Sequence, residues 1–386
     1  MTIATGDALR TPDGRQRPSS VTSEERQRRE RLGQFLRRVE PTVHGARGDD
    51  REQIRRLLGW DDASLHAFVG ADVVVHTSPH ASMNAFAPMF AFPWLAAVLA
   101  SAGAAPARAV HLRTIVTHNN LGDLRWRPYA WWHRGRDGSV VKTSLFSRSS
   151  KTRHHVLLSK PVPEVDLGAC TGIDRAAAVL GGHARNYAYF CVVYRAFVER
   201  HAGLHGSRPV IEAPIDLLNA FSLSEDGIDR WSAALSRSGL TFRTPDGEGR
   251  LVALADPCAA RLAQPGARPL LCPNAINIAQ SYLLGISTVI GAERMAQYVP
   301  RMTELVDRFI EHLGSSYRPP EFVSCTNREL GAALEHDVET SARLAEDGLR
   351  EALPIGAADI GRRVADNLAG LMAADRARFT QSAPYV

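Results

Sequence analysis

The chain has 386 residues, 45% of them hydrophobic and 23% charged, the composition of an ordinary globular protein long enough to bury a full core. No apolar run of membrane-spanning length is uninterrupted: the nearest, Phe86–Leu99, is broken by Pro88 and Pro93, and the polar N-terminus is not a secretory signal. The formal charge is +5, and the five cysteines form no C-x-x-C, which fits reduced thiols and a cytoplasmic protein without a membrane partner.

The basic charge is unevenly placed. Residues 113–160 carry a large excess of Lys and Arg over Asp and Glu, and the remainder is net negative, so one basic face meeting a polyanion is expected. All three lysines, Lys142, Lys151 and Lys160, lie in that stretch, although chance clustering explains them too.

In chain order, residues 1–22 are polar and aperiodic and are expected to be a disordered tail. Thr22-Ser-Glu-Glu25 is a capping-box pattern opening a helix with Leu32, Phe35, Leu36 and Val39 on one face. Its arginines, Arg26, Arg28, Arg29, Arg31, Arg37 and Arg38, read as a solvated face or as an RNA- or partner-binding arm. Asp49-Asp50 and Asp61-Asp62 look like caps of two short helices.

Val73-Val74-Val75 reads as a buried strand, followed by the polar turn His76–Asn84 and an apolar helical run from Phe86 to Ala102. Strand, polar turn and helix is how an open α/β sheet builds a ligand site, because the turn lies at the strand's carboxyl end and the helix's positive end. Arg108–Val116 predicts a second strand, ending in the polar run Thr117–Asp123, which lies near the first turn if the two strands are parallel neighbours. Tyr129–Phe146 predicts a hairpin about Gly135-Arg-Asp-Gly138, and Thr152–Leu158 a further strand. Trp126, Tyr129, Trp131, Trp132 and Phe146 interleave with cations there. Two readings stand: a surface for single-stranded nucleic acid, or a twisted sheet with a packed aromatic face.

Ile173–Leu204 reads as a helical region broken at Gly181-Gly182, and Pro209–Asp216 as a strand ending in Glu212. A helix over Asp229–Ser238, a hairpin about Pro245–Gly249, a helix after Asn274 and another over Ala292–Leu313 follow. Thr326-Asn-Arg-Glu329 opens a helical C-terminal part. The organisation expected is a tail at 1–22, an α/β domain at 23–315 with a basic aromatic hairpin at 125–160, and a helical region at 326–386.

Walker A, G-x-S-x-G, G-x-G-x-x-G and H-E-x-x-H signatures are absent, and no metal or cofactor is expected. Ser82 is either a nucleophile at a helix start or, in competition with Asn84, the cap of the following helix. His76 and His80 are bases near it in sequence.

Strand, Thr77-Ser78-Pro79 and the turn His80-Ala-Ser82-Met-Asn84 resemble the first half of class I aminoacyl-tRNA synthetase cores. They also resemble cyclodipeptide synthases, which take aminoacyl groups from charged tRNA and carry them on a serine. The resemblance spans roughly 50–90 residues. A Rossmann-like core with inserted β-hairpins is what it implies. The activity implied is aminoacyl transfer from aminoacyl-tRNA to a small-molecule acceptor in specialised metabolite (antibiotic) biosynthesis. It further implies Ser82, His80 and Asn84 at the reacting ester, with His76, Ser78, Asn120 and Glu212 binding substrate. Arg125, Arg127, Lys142, Lys151, Arg153 and Lys160 would meet the tRNA backbone. An ATP-dependent ligase or nucleotidyltransferase using the same turn, and a non-enzymatic RNA-binding accessory protein, are the alternatives.

Overall fold

The computed structural model describes residues 21–83, 109–123, 128–137, 140–147, 152–201, 209–255, 269–317 and 319–325. Helix α1 spans Ser23–Val43 and starts on the capping box its sequence predicts: Glu25 N–H donates to Thr22 Oγ1 (3.2 Å) and Thr22 N–H to the Glu25 carboxylate (2.8 Å). Leu32, Phe35 and Leu36 are buried, as their spacing requires.

Two of its arginines overturn the solvated-face reading. Arg29 is fully buried and donates to the carbonyls of Leu284 (2.7 Å), Ala71 (2.7 Å) and Gly285 (2.9 Å). Arg28 pairs with Asp226 at 2.8 Å and stacks over Phe221. A guanidinium has five donors, and helix ends present unpaired carbonyls for them. Arg31 and Arg37 sit at the surface in ion pairs with Glu225 and Asp62.

Helices α2 (Gly48–Leu58) and α3 (Asp62–Gly70) follow. Asp61 caps α3 through Ser64 N–H (3.0 Å), whereas Asp49 and Asp50 lie in the first turn of α2 without capping it. Gly59 ends α2 at φ +69°, where an added Cβ would run into the Val210 carbonyl.

The strands are β1 (Val73–Thr77), β2 (Ala109–Arg113), β3 (Ala130–Arg134), β4 (Val140–Ser144), β5 (Val210–Glu212), β6 (Arg243–Pro245), β7 (Leu251–Ala253), β8 (Thr288–Ala292) and β9 (Glu321–Cys325). Between them run α4 (Gly172–Gly181), α5 (Tyr187–His201), α6 (Ile215–Asp226), α7 (Ile228–Arg237), α8 (Asn274–Tyr282) and α9 (Glu293–Leu313). The predicted break at Gly181-Gly182 is the α4–α5 boundary.

Five strands form one parallel sheet in the order β5-β2-β1-β8-β9. Counted by appearance within this sheet, the order is 3-2-1-4-5, that of a doubly wound Rossmann-like α/β fold. Strands β8 and β9 are additions to the sequence reading, which began a helix at Ala292 and assigned no element to residues 288–291 or 321–325. Central strands of such a sheet are covered on both faces, which is why β1 and β2 are almost wholly buried. Helices α2 and α3 contact β5, and α9 contacts β8 and β9. Among the described residues no helix is long and apolar enough to cross a membrane.

β3 and β4 make the predicted antiparallel hairpin, with Trp132 opposite Lys142, and β6 and β7 make the other. Thr152–Leu158 is not a strand. It is a turn, then single bridges at His155 and Val156, then a 3-10 turn over Leu157–Ser159. The expected helix over Phe86–Ala102, residues 1–20 of the expected 1–22 tail and the helical region 326–386 lie outside the described residues, and Thr22, counted in that tail, caps α1.

Candidate functional site

The parallel register brings three strand ends level: Thr77 of β1 lies beside Arg113 of β2, and Arg113 beside Glu212 of β5. Connections leave β1 and β8 in opposite directions, so the carboxyl end of β1 is the switch point where open α/β sheets form their crevice. The predicted turn departs there.

β1 runs two residues, His76 and Thr77, into the stretch the sequence reads as the polar turn, because the side chains of that pair find partners. His76 Nε2 bonds Thr114 Oγ1 at 2.7 Å, and Thr77 Oγ1 bonds His111 Nε2 at 2.8 Å. Burial pushes the His76 imidazole down to about 3, so it is neutral in the folded protein. Ser78 Oγ sits 2.6 Å from Thr114 Oγ1. These residues brace the turn from below.

The turn is laddered to the continuation of β2. Val116 N–H donates to Pro79 O (2.8 Å), Ala81 N–H to Val116 O (2.9 Å), and His80 bridges Val116 in parallel. Asn119 Nδ2 donates to Ala81 O at 3.2 Å. Ser82 is buried and His80 half-buried. Asn84 lies outside the described residues.

The continuation of β2 carries a second neighbour on its far side. Leu157 N–H donates to Asn119 O (3.2 Å), Leu121 N–H to His155 O (2.8 Å) and Gly122 N–H to Arg153 O (2.9 Å), and Asn120 bridges Val156. The continuation of β2 thereby links the Ser82 turn, through Val116 and Asn119, to the segment that carries Arg153 and Lys160. Lys142 is exposed on β4. Arg125, Arg127 and Lys151 lie outside the described residues.

The aromatic face of the hairpin points inward. Trp131 is 1% exposed and donates to Tyr194 OH at 2.8 Å, Tyr129 is buried, and half-buried Phe146 packs edge-on against Tyr187. Tyr129 and Trp131 serve the core and are not presented for stacking on bases.

Glu212, expected from the sequence to bind substrate, is 1% exposed and joins a buried charge cluster whose other members, Arg113, Arg195 and Glu199, the sequence reading missed. Arg113 reaches it at 3.2 Å and also binds Glu199, and Arg195 Nε donates to Glu199 at 2.5 Å. Arg195 also donates to His80 O at 3.3 Å, tying α5 to the turn. Burial pushes the Glu212 carboxyl up to about 7 against the pull of Arg113, with the Glu199 charge pushing the same way. The visible signal was Arg195 and Glu199 four apart in a helix whose other residues up to Val198 are apolar or aromatic. Asp216, at the start of α6, accepts from Tyr189 OH (2.5 Å) and Thr117 Oγ1 (2.7 Å), and His118 Nε2 meets Asn274 Oδ1 at 2.9 Å.

Among the described residues, no cluster of three or more His, Cys, Asp or Glu is arranged to hold a metal ion. Cys170, Cys191 and Cys272 are buried thiols. Compared with family models, curated proteins and solved structures, the chain matches none of the three.

Proposed function

We propose that this protein takes an aminoacyl group from aminoacyl-tRNA, carries it on Ser82, and passes it to a small acceptor in specialised metabolism, within a class I synthetase-like core. The single observation that carries the reading is Asn119, whose side chain holds the Ser82 turn through Ala81 O while its own carbonyl holds the basic segment through Leu157 N–H. The turn that carries Ser82 and the basic segment, far apart in sequence, are both held by the same continuation of β2, which supports a nucleophile working beside a bound polyanion. The location at the carboxyl end of β1 adds to this.

In the proposed step Ser82 Oγ bonds the ester carbonyl carbon and the bond from that carbon to the tRNA ribose oxygen breaks. The serine proton passes to the His80 imidazole and from it to the departing ribose oxygen. His80 and Ser82 are two apart in backbone that is extended at the His80 bridge, and alternate residues of extended chain share a side. Burial of Ser82 keeps water from the acyl ester it would carry. Lys142, Lys151, Lys160, Arg125, Arg127 and Arg153 hold the tRNA phosphates in this reading.

The test uses total tRNA charged with a mixture of amino acids, followed by intact-mass measurement of the denatured protein. An added aminoacyl mass is expected on the wild type and its absence on Ser82→Ala, with tRNA affinity retained. Turnover by Ser82→Ala at the wild-type rate would remove the serine from the mechanism.

A further inference from the structure

The segment Thr152–Lys160 folds back on itself through His155 N–H to Thr152 O (3.0 Å) and Lys160 N–H to Leu157 O (3.1 Å). The fold-back brings Lys160 Nζ to 2.5 Å from His155 Nδ1. An ammonium has donors only, so Nδ1 accepts and the ring proton sits on Nε2. The two side chains are half-buried, and Ser159, Arg153 and His154 beside them are exposed.

The nearby acids are already taken. The β6–β7 hairpin lies against this segment through the His155–Arg250 bridge and Val156 N–H to Gly249 O (2.8 Å). Gly249, at φ +84°, has no side chain to hold the hairpin off Ser159. Its carboxylates, Asp246 and Glu248, both pair with Arg250, at 3.0 and 3.1 Å. Among the described residues no carboxylate lies within ion-pair distance of Lys160. In the same segment Arg153 Nε donates to His154 Nε2 at 2.8 Å, a further positive charge on this exposed stretch. A cation held on an imidazole, with its neighbouring acids neutralised, lacks an anion.

We propose that the His155–Lys160 pair is a phosphate anchor that takes up a proton as the phosphate docks. The proposal rests on the reading that this face meets RNA. Without the phosphate, burial first and the Lys160 charge second hold the imidazole below its ordinary 6.5, so it is neutral near pH 7. Asp246 and Glu248 pull the other way, but the pairing with Arg250 blunts them. The only ring nitrogen free of a proton is Nδ1, so uptake there breaks its bond from Lys160 Nζ; a docked phosphate accepts from both Nζ and the new Nδ1–H, and its negative charge raises the imidazole's affinity for that proton. Because the bound form holds the extra proton, binding must weaken as pH rises, by up to about tenfold per pH unit.

The full-length protein is titrated calorimetrically with tRNA, and separately with inorganic tripolyphosphate, near pH 7 in buffers of different ionisation heat. Proton uptake close to one per site is expected with both. His155→Asn is expected to lose the uptake and the pH slope, while Lys160→Gln weakens both ligands; melting curves check that each variant is folded. If tRNA binds without proton uptake, or His155→Asn leaves uptake unchanged, the anchor is wrong and the RNA reading survives. If tripolyphosphate binds with uptake that His155→Asn removes but tRNA does not bind, the anchor stands and the RNA reading falls. Binding of neither ligand overturns both.

Discussion

Asn119 donates its side-chain amide to Ala81 O at 3.2 Å, and its main-chain carbonyl accepts from Leu157 N–H at the same distance. One buried residue therefore fixes the spacing between the Ser82 turn and the basic segment. Asn119→Ala leaves the Ala81 carbonyl unpaired, costing about 1–3 kcal/mol of stability. Under the proposed function it also misplaces the nucleophile, lowering turnover by roughly tenfold to a hundredfold with tRNA affinity unchanged. Paired measurements of melting temperature, turnover and affinity check this, and equal losses in turnover and affinity would contradict it.

Glu212 makes stability depend on pH in a defined sense. Its carboxyl is raised to about 7 in the folded protein, from an ordinary 4.5. Between those values the folded state holds a proton that the unfolded state releases, so this contribution is fully present below the ordinary value and is lost as pH rises through about 7. Glu212→Gln mimics the protonated form. The stability of the variant relative to wild type is expected to rise with pH over that window, measured by denaturant titration; a flat difference would mean that Glu212 is ionised throughout.

Arg29 is expected to be among the most costly positions to change. Arg29→Met keeps the apolar stem but strands the carbonyls of Leu284, Ala71 and Gly285. A loss of roughly 2–4 kcal/mol is expected, against less than about 0.5 for a solvated arginine, as read from chemical denaturation.

Salt dependence tests the basic face. Replacing Lys142, Lys151 and Lys160 together by Gln should weaken tRNA binding. It should also flatten the plot of log affinity against log salt by about 0.7–0.9 for each phosphate no longer neutralised. An unchanged slope would take these lysines out of the interface.

The energy source separates the transferase from the ligase. Under the proposed synthetase-like reading, Ser82 stands where that family's turn carries glycine, so a Cβ and a hydroxyl would occupy the place of close phosphate approach. ATP at millimolar concentration is expected neither to raise the melting temperature nor to be consumed. A ligand-induced shift with pyrophosphate release on adding amino acids would favour the ligase alternative.

Local chemistry made much of this fold readable from the chain itself. The Thr22–Glu25 capping box, the Val73–Val75 strand, the hairpins over β3–β4 and β6–β7, and the helix break at Gly181-Gly182 all rest on neighbours within a few residues. β8 was hidden because Thr288-Val-Ile-Gly-Ala is too short to show a period and runs straight into α9. Yet β8 beside β1 is what makes the end of β1 a switch point. Arg28 and Arg29 looked solvated because charge usually is, and only distant carbonyls and Asp226 make their burial affordable. The polar turn was visible as residue types. What tertiary structure alone decided was pairing: Arg113 with Glu199 and Glu212, Asp216 with Tyr189, and Lys160 with His155. The first three pairs join residues remote in sequence. Even the last, five residues apart, depends on a fold-back that no periodicity encodes.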